Sequence, residues 1–277
     1  TGDKTVKEAD SKGVKAPATK TPVQNTSSLT QPEKDAVKKA VSTANPSATK
    51  VEVGNDGSAT VTFPDGTTAT LTGDKTVKEA DSKGVKAPAT KTPVQNTSSL
   101  TQPEKDAVKK AVSTANPSAT KVEVGNDGSA TVTFPDGSTA TLTGDKTVKE
   151  ADSKGVQEPA AKTPVQNTSS LTQPEKDAVK KAVADANPTA TKVEVGNDGS
   201  ATVTFPDGTT ATLTGDKTVK EADSKGVKAP ATKTPVQNTS SLTQPEKDAV
   251  KKAVSTANPS ATKVEVGNDG SATVTFP

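Results

Sequence analysis

The sequence contains no cysteine, methionine, tryptophan, tyrosine or histidine, its 35 basic residues are all lysine, and its only aromatic side chains are 4 phenylalanines. Each absence closes a class of function. Without cysteine there are no disulfides and no thiol chemistry, which suits any compartment and selects none. Without histidine, cysteine or tyrosine, acid–base catalysis falls to Asp, Glu or Lys alone. Without arginine there is no bidentate reader of phosphate or guanine. Lysines are nearly balanced by 33 acidic residues, and a net charge of +2 leaves no electrostatic footprint for nucleic acid. No run approaches the roughly 20 apolar residues needed to cross a bilayer, so no membrane insertion is expected. Thr1 opens no signal peptide, which weighs little in what reads as a piece of a longer array. Large apolar residues are scarce too: 29% of the chain is hydrophobic and 1% aromatic. Such a chain cannot fill one large core, only several small ones separated by solvated segments.

What is present is repetition. Thr1-Gly2-Asp3 returns at Thr72, Thr143 and Thr214, and the copies are nearly identical letter for letter. Internal repeats of this kind override the domain count that length alone suggests. The period divides into a core stretch and a polar stretch. Core stretches are expected at 29–71, 100–142, 171–213 and, truncated, 242–277. The stretches 1–28, 72–99, 143–170 and 214–241 read as linkers, polar and proline-bearing, with Val6, Val14 and Val23 at no helical or strand period. Most of such a linker is expected to be extended, partly polyproline II near Pro17 and Pro22. As a random coil each would span roughly 30 Å. One part stays open: Thr5-Val6-Lys7 and its equivalents either add a final strand to the preceding repeat or are disordered, or Asp3 caps a single helical turn through Glu8.

The core stretch opens on a helix. Thr30-Gln31-Pro32-Glu33 has the form of a capping box, with proline in the first turn, where its missing N–H costs nothing. Glu33 and Asp35 lie near the positive helix end, and Lys38 and Lys39 lie toward the negative end. Ala36, Val37, Ala40, Val41 and Ala44 make one apolar face, and Asn45-Pro46 stops the helix. The spacing predicts a helix over 31–44. Three alternating stretches follow, Thr49 to Val53, Ser58 to Phe63 and Thr67 to Leu71. The turns Gly54-Asn55-Asp56-Gly57 and Pro64-Asp65-Gly66 separate them. The expected fold is α+β: tandem small repeats, each one helix across a three-stranded, possibly four-stranded, antiparallel meander, joined by extended linkers. Leu29, Val37, Val41, Val51, Val53, Val61, Phe63 and Leu71 form the expected core, with alanines filling in.

No catalytic, cofactor or metal site is expected. Glu33 and Asp35 are a carboxylate pair, but capping and the helix dipole account for both. Asn55, Asp56 and Asp65 are oxygen ligands on adjacent turns, as calcium would require, yet their spacing matches no EF-hand loop and turn chemistry explains each. An intramolecular Lys–Asn isopeptide bond would need a lysine buried beside an amide and a carboxyl, and the lysines here lie on outward positions. The FPDG turns, threonine-rich strands and lysine-rich stretches could form a binding surface when repeated, or simply a solvated face.

Tandem repeats of Thr, Lys, Ala and Val with TVTFPDGTTATL hairpins resemble the repeat region of Gram-positive cell-wall-anchored surface adhesins of the streptococcal and staphylococcal kind. The hairpin Thr60 to Leu71 is similar to the YPDG-containing end of Rib/alpha-type repeats. The helix LTQPEKDAVKKAV departs from the all-β Rib pattern and points to a different α+β repeat. The residue inventory speaks against enzymatic activity or a cofactor, and a monomeric chain is expected. The resemblance implies a secreted, extracellular, wall-anchored protein. It implies a stalk that projects an adhesive domain from the cell wall. The alternative it implies is a multivalent module for a host extracellular-matrix protein such as fibronectin, or for a neighbouring cell-surface protein in cell–cell adhesion and biofilm, with a bearing on virulence.

Overall fold

A computed structural model describes residues 6–277 of the chain. It forms two compact units, Thr1–Glu150 and Ala151–Pro277, each holding two copies of the repeat. Thr1 to Thr5 lie outside the described residues, so the alternative of a helical turn capped by Asp3 does too.

In the first copy a 3-10 turn, Asp10–Gly13, leads to strand β1, Thr21–Val23. Helix α1 then occupies Gln31–Ala44, the span its pattern predicts. The capping box is complete: Glu33 Oε2 accepts the Thr30 N–H at 2.8 Å and the Thr30 hydroxyl at 2.7 Å. Glu33 Oε1 also accepts the Gln24 N–H at 2.7 Å, so the same carboxylate fastens the loop that leaves β1. Strands β2 (Lys50–Val53), β3 (Ala59–Thr62) and β4 (Thr68–Leu71) form an antiparallel sheet in the order β2-β3-β4. Val51 pairs Val61 and Ala59 pairs Leu71, which puts the apolar side chains on the face that α1 covers. Gly57 closes the first hairpin at a φ of +76°, a conformation that glycine adopts without a Cβ penalty.

Among the described residues, the stretches read as linkers carry short elements that belong to the folded repeat. After β4 a short helical turn α2, Gly73–Thr76, redirects the chain into strand β5, Val77–Glu79. The strand expected at Thr5-Val6-Lys7 and its equivalents thus exists at Val77–Glu79, but it is not a fourth strand of the meander. It pairs in parallel with β1, Thr21 opposite Val77 and Val23 opposite Glu79. Val23 and Val77, 1% and 5% exposed, complete the core of Leu29, Val37, Val41, Val51, Ala59, Val61, Phe63 and Leu71, against which Val14 and Val53 are partly buried. Local periodicity could not report this pairing, because each three-residue strand finds its partner across the whole repeat. Parallel strands need such a crossover. Gly73 permits the close packing: a Cβ there would stand 2.1 Å from the Asp56 carbonyl oxygen. The Thr76 hydroxyl donates to the Gly57 carbonyl at 2.5 Å, locking α2 onto the hairpin.

The second and third copies repeat this architecture, with parallel pairs Thr92–Val94 with Val148–Glu150 and Thr163–Val165 with Val219–Glu221. The fourth has its helix, Gln244–Ala257, and one hairpin, Lys263–Val266 with Ala272–Thr275.

Candidate functional site: the joint between repeats

Within each compact unit one copy follows the other without a spacer. Only Ala80 separates β5 of the first copy from the 3-10 turn Asp81–Gly84 that opens the second. The chemistry at this joint is built from the FPDG turn. In the first copy Asp65 Oδ1 accepts the Thr67 N–H at 3.0 Å and the Thr67 hydroxyl at 2.6 Å. Its Oδ2 accepts the Asp10 N–H at 2.8 Å, while the Ser11 N–H donates to Thr67 Oγ1 at 3.1 Å. The turn between β3 and β4 therefore holds the free amides of the 3-10 turn that begins its own repeat. In the second copy Asp136 and Ser138 do the same for Asp81 and Ser82, at 2.9 and 3.0 Å. Asp207 and Thr209 do so for Asp152 and Ser153 in the third.

Two side chains carry the joint across from one copy to the next. Lys78, on β5 of the first copy, places Nζ 3.4 Å from both Asp81 and Asp136. Gln24, just past β1, donates its amide to Ser82 Oγ at 2.9 Å. Gln166 and Ser224 repeat that contact at 2.8 Å. The Asp136 side chain is 4% exposed. Burial by itself would raise its pKa, but the Asp81 N–H, the Ser138 hydroxyl and N–H, and the Lys78 ammonium together hold the carboxyl down to about 2. Asp65 is held down to about 2 as well, by the Thr67 hydroxyl first, then by the Asp10 N–H and Lys7. Lys78 loses some hydration, yet Asp81 and Asp136 raise its pKa.

The residues weighed as catalytic or metal-ligating are all committed elsewhere. Glu33 caps α1. Asp35 accepts the Gln31 amide at 2.8 Å. Asn55 accepts the Lys34 ammonium, and Asp56 accepts the Ser58 N–H and hydroxyl at 3.0 and 2.6 Å. Asn55, Asp56 and Asp65 do not converge, and no cluster of three metal-ligating residues occurs among the described residues. Sequence reasoning missed Lys78, Gln24 and Asn45. Asn45 was read only as a helix stop. Its buried amide donates to the Lys15 and Val41 carbonyls at 2.8 and 2.9 Å, and its oxygen accepts the Lys15 N–H at 2.9 Å. The available signal was the strict recurrence of DSKG ahead of PDG in the first three copies.

The molecule is thus an array of small α+β repeats, the first three with cores of their own, and within each compact unit one repeat is fastened directly to the next. The chain belongs to the atypical Rib domain family, whose model matches residues 12–80, 83–151, 154–222 and 225–277. These spans run through the stretches read as linkers, and no enzymatic family is indicated. Among solved structures, the sialic acid binding region of a Streptococcus sanguinis SK1 adhesin bound to 3'sLn is 25% identical over 75% of this chain and 66% of that one, with a TM-score of 0.27. The SrpA adhesin from Streptococcus sanguinis is 29% identical over 35% of this chain and 50% of that one, also with a TM-score of 0.27. The GspB Siglec domain is 22% identical over 34% of this chain and 57% of that one, at a TM-score of 0.25. The chain therefore spans 66% of the length of the first and half of the second. No curated protein sequence matches it. No helix among the described residues is long and apolar enough to cross a membrane.

Proposed function

We propose that this array is a non-enzymatic spacer of a wall-anchored bacterial surface adhesin, holding an adhesive domain away from the cell. The observation that carries this reading is the joint. Ala80 alone lies between one repeat's last strand and the next repeat's first turn, and Lys78 and Gln24 bridge to Asp136 and Ser82. Within a unit built this way the second copy adds a folded increment, whereas a flexible linker would add reach only as the square root of its length. The buried polar side chains are also satisfied: no buried side-chain nitrogen or oxygen among the described residues lacks a partner.

The test is display of an adhesive domain on cells behind zero, two or four copies of the repeat. Adhesion should rise with copy number and be restored by an unrelated folded array of equal length. If an unrelated array fails to restore it, or if the repeats alone capture fibronectin, the repeats bind ligand and the spacer reading falls.

A further inference from the structure

Resting on the spacer reading, a second property follows from how the two ends of each repeat meet. The chain enters the repeat's interior along β1 and leaves along β5, and these strands lie side by side in parallel. In a parallel pair the N-terminal ends lie together and the C-terminal ends lie together. Tension along the chain draws β1 by its N-terminal end and β5 by its C-terminal end. The two are pulled in opposite directions along the strand axis, so the ladder hydrogen bonds are loaded together. They would break one after another only if both strands were pulled from the same end.

We propose that the β1–β5 pair is a tension clamp, so that each of the first three repeats resists force along the chain more strongly than its small core implies. Three features support it beyond the pairing itself. The ladder extends past β5, the Ala80 N–H donating to the Val23 carbonyl at 2.9 Å, and Ala222 repeats this with Val165 at 2.8 Å. Val23 and Val77 are buried in the core, so sliding the pair also drags apolar side chains into water. Upstream of β1 the incoming chain is fastened at Asp10 and Ser11 to the FPDG turn, and at Lys15 to Asn45. Tension from that side is thereby shared with the sheet and the helix end.

The experiment is single-molecule pulling on the whole chain. In one pair of variants the handles sit at Lys20→Cys with Glu79→Cys, which shears β1 against β5. In the other they sit at Lys20→Cys with Lys75→Cys, which peels them from one end. Shearing should need clearly the higher load in the same folded repeat, and equal loads in the two directions overturn the clamp. A second measurement removes hydrogen bonds without bending the backbone. Ala80 and Ala222 both have a φ of −69°, which proline adopts unstrained. Ala80→Pro with Ala222→Pro should speed unfolding of the first and third repeats at matched load about fivefold, the equivalent of one hydrogen bond of about 1 kcal/mol. An unchanged rate under load also overturns the proposal. Both results report on the strand pair alone, so they are independent of whether displayed repeats support adhesion.

Discussion

Residues 1–64 and 214–277 have the same sequence, yet the described residues 6–64 and their counterparts 219–277 do not have the same structure. The helix and the first hairpin are alike in both: α1 matches Gln244–Ala257, and Val51 opposite Val61 matches Val264 opposite Val274. Burial differs. Ala59 and Val61 are wholly enclosed, whereas Ala272 is exposed and Val274 half-buried. Thr21-Pro22-Val23 is a strand, while the same letters at Thr234-Pro235-Val236 are not. Residues 214–277 include no counterpart of Leu71 to Ala80, and a groove of about 620 Å³ among them is lined by Val227, Leu242, Val254 and Val274. Val227 is accordingly 53% exposed, and Val6, which shares the context of the buried Val77, is 78% exposed. Helix and hairpin are local products of their residues. The parallel pair and the sealed core depend on a segment that comes at the end of the repeat.

Four measurements sharpen or break that comparison. The largest effect belongs to the lone aromatic. Phe63→Ala should cost about 3–5 kcal/mol, close to the whole stability of so small a repeat. Amide exchange would then lose protection over 31–71 while the second and third copies keep theirs. Phe276→Ala, on the open hairpin, should change protection in its copy far less. Equal losses would mean that Leu71 to Ala80 does not seal the core.

Next comes the residue that local pattern dismissed. Val23→Ala should destabilise its repeat by about 2 kcal/mol, for two buried carbon groups and the cavity they leave. Val236→Ala should cost under about 0.5 kcal/mol, as surface changes do. Denaturant midpoints of the two variants decide it, and similar shifts would return 1–28 to the status of a linker.

The third is a pH effect at the joint. Asp136 is held down to about 2, below the ordinary carboxylate value. Its contribution is therefore present in full above about pH 4 and lost as pH falls toward 2. The Asp81 and Ser82 amides should be protected at neutral pH and open across that window. Asp223 and Ser224 face no counterpart of Asp136 among the described residues, and their amides in residues 1–277 should show no acid transition there.

The smallest effect is at the Gln24–Ser82 contact. Gln24→Ala should cost about 0.5–1 kcal/mol, the net worth of one hydrogen bond. The loss should be coupled to Ser82→Ala in a double-mutant cycle. Gln237→Ala, for which residues 238–277 hold no counterpart of Ser82, should be silent in residues 1–277.

Much of the fold was legible in the letters. Thr30 and Glu33 marked the start of α1, Asn45-Pro46 its end, and the valine alternation with two glycine turns the meander. Those features are short-range, set by caps, turns and side-chain period within a few residues. Seven of the eight expected core residues are buried, and Val53 is partly so. The joint was legible only in part. Asp65 was noticed as a turn residue, but nothing near it in the chain discloses that its second oxygen faces Asp10.

The sequence by itself determined how many repeats there are, where each helix and hairpin forms, and that His- or Cys-dependent chemistry is absent, because residue identity and local period suffice for these. Only the tertiary structure decided that Val23 and Val77 are core and that β1 and β5 are parallel neighbours. It alone decided that Lys78 of one repeat meets Asp136 of the next. These depend on groups more than fifty residues apart coming together, and the physical reason is that a three-residue strand has too short a period to announce itself. It becomes a strand only when a partner supplies its hydrogen bonds, and Thr234-Pro235-Val236, which pairs with no strand among the described residues, is not one.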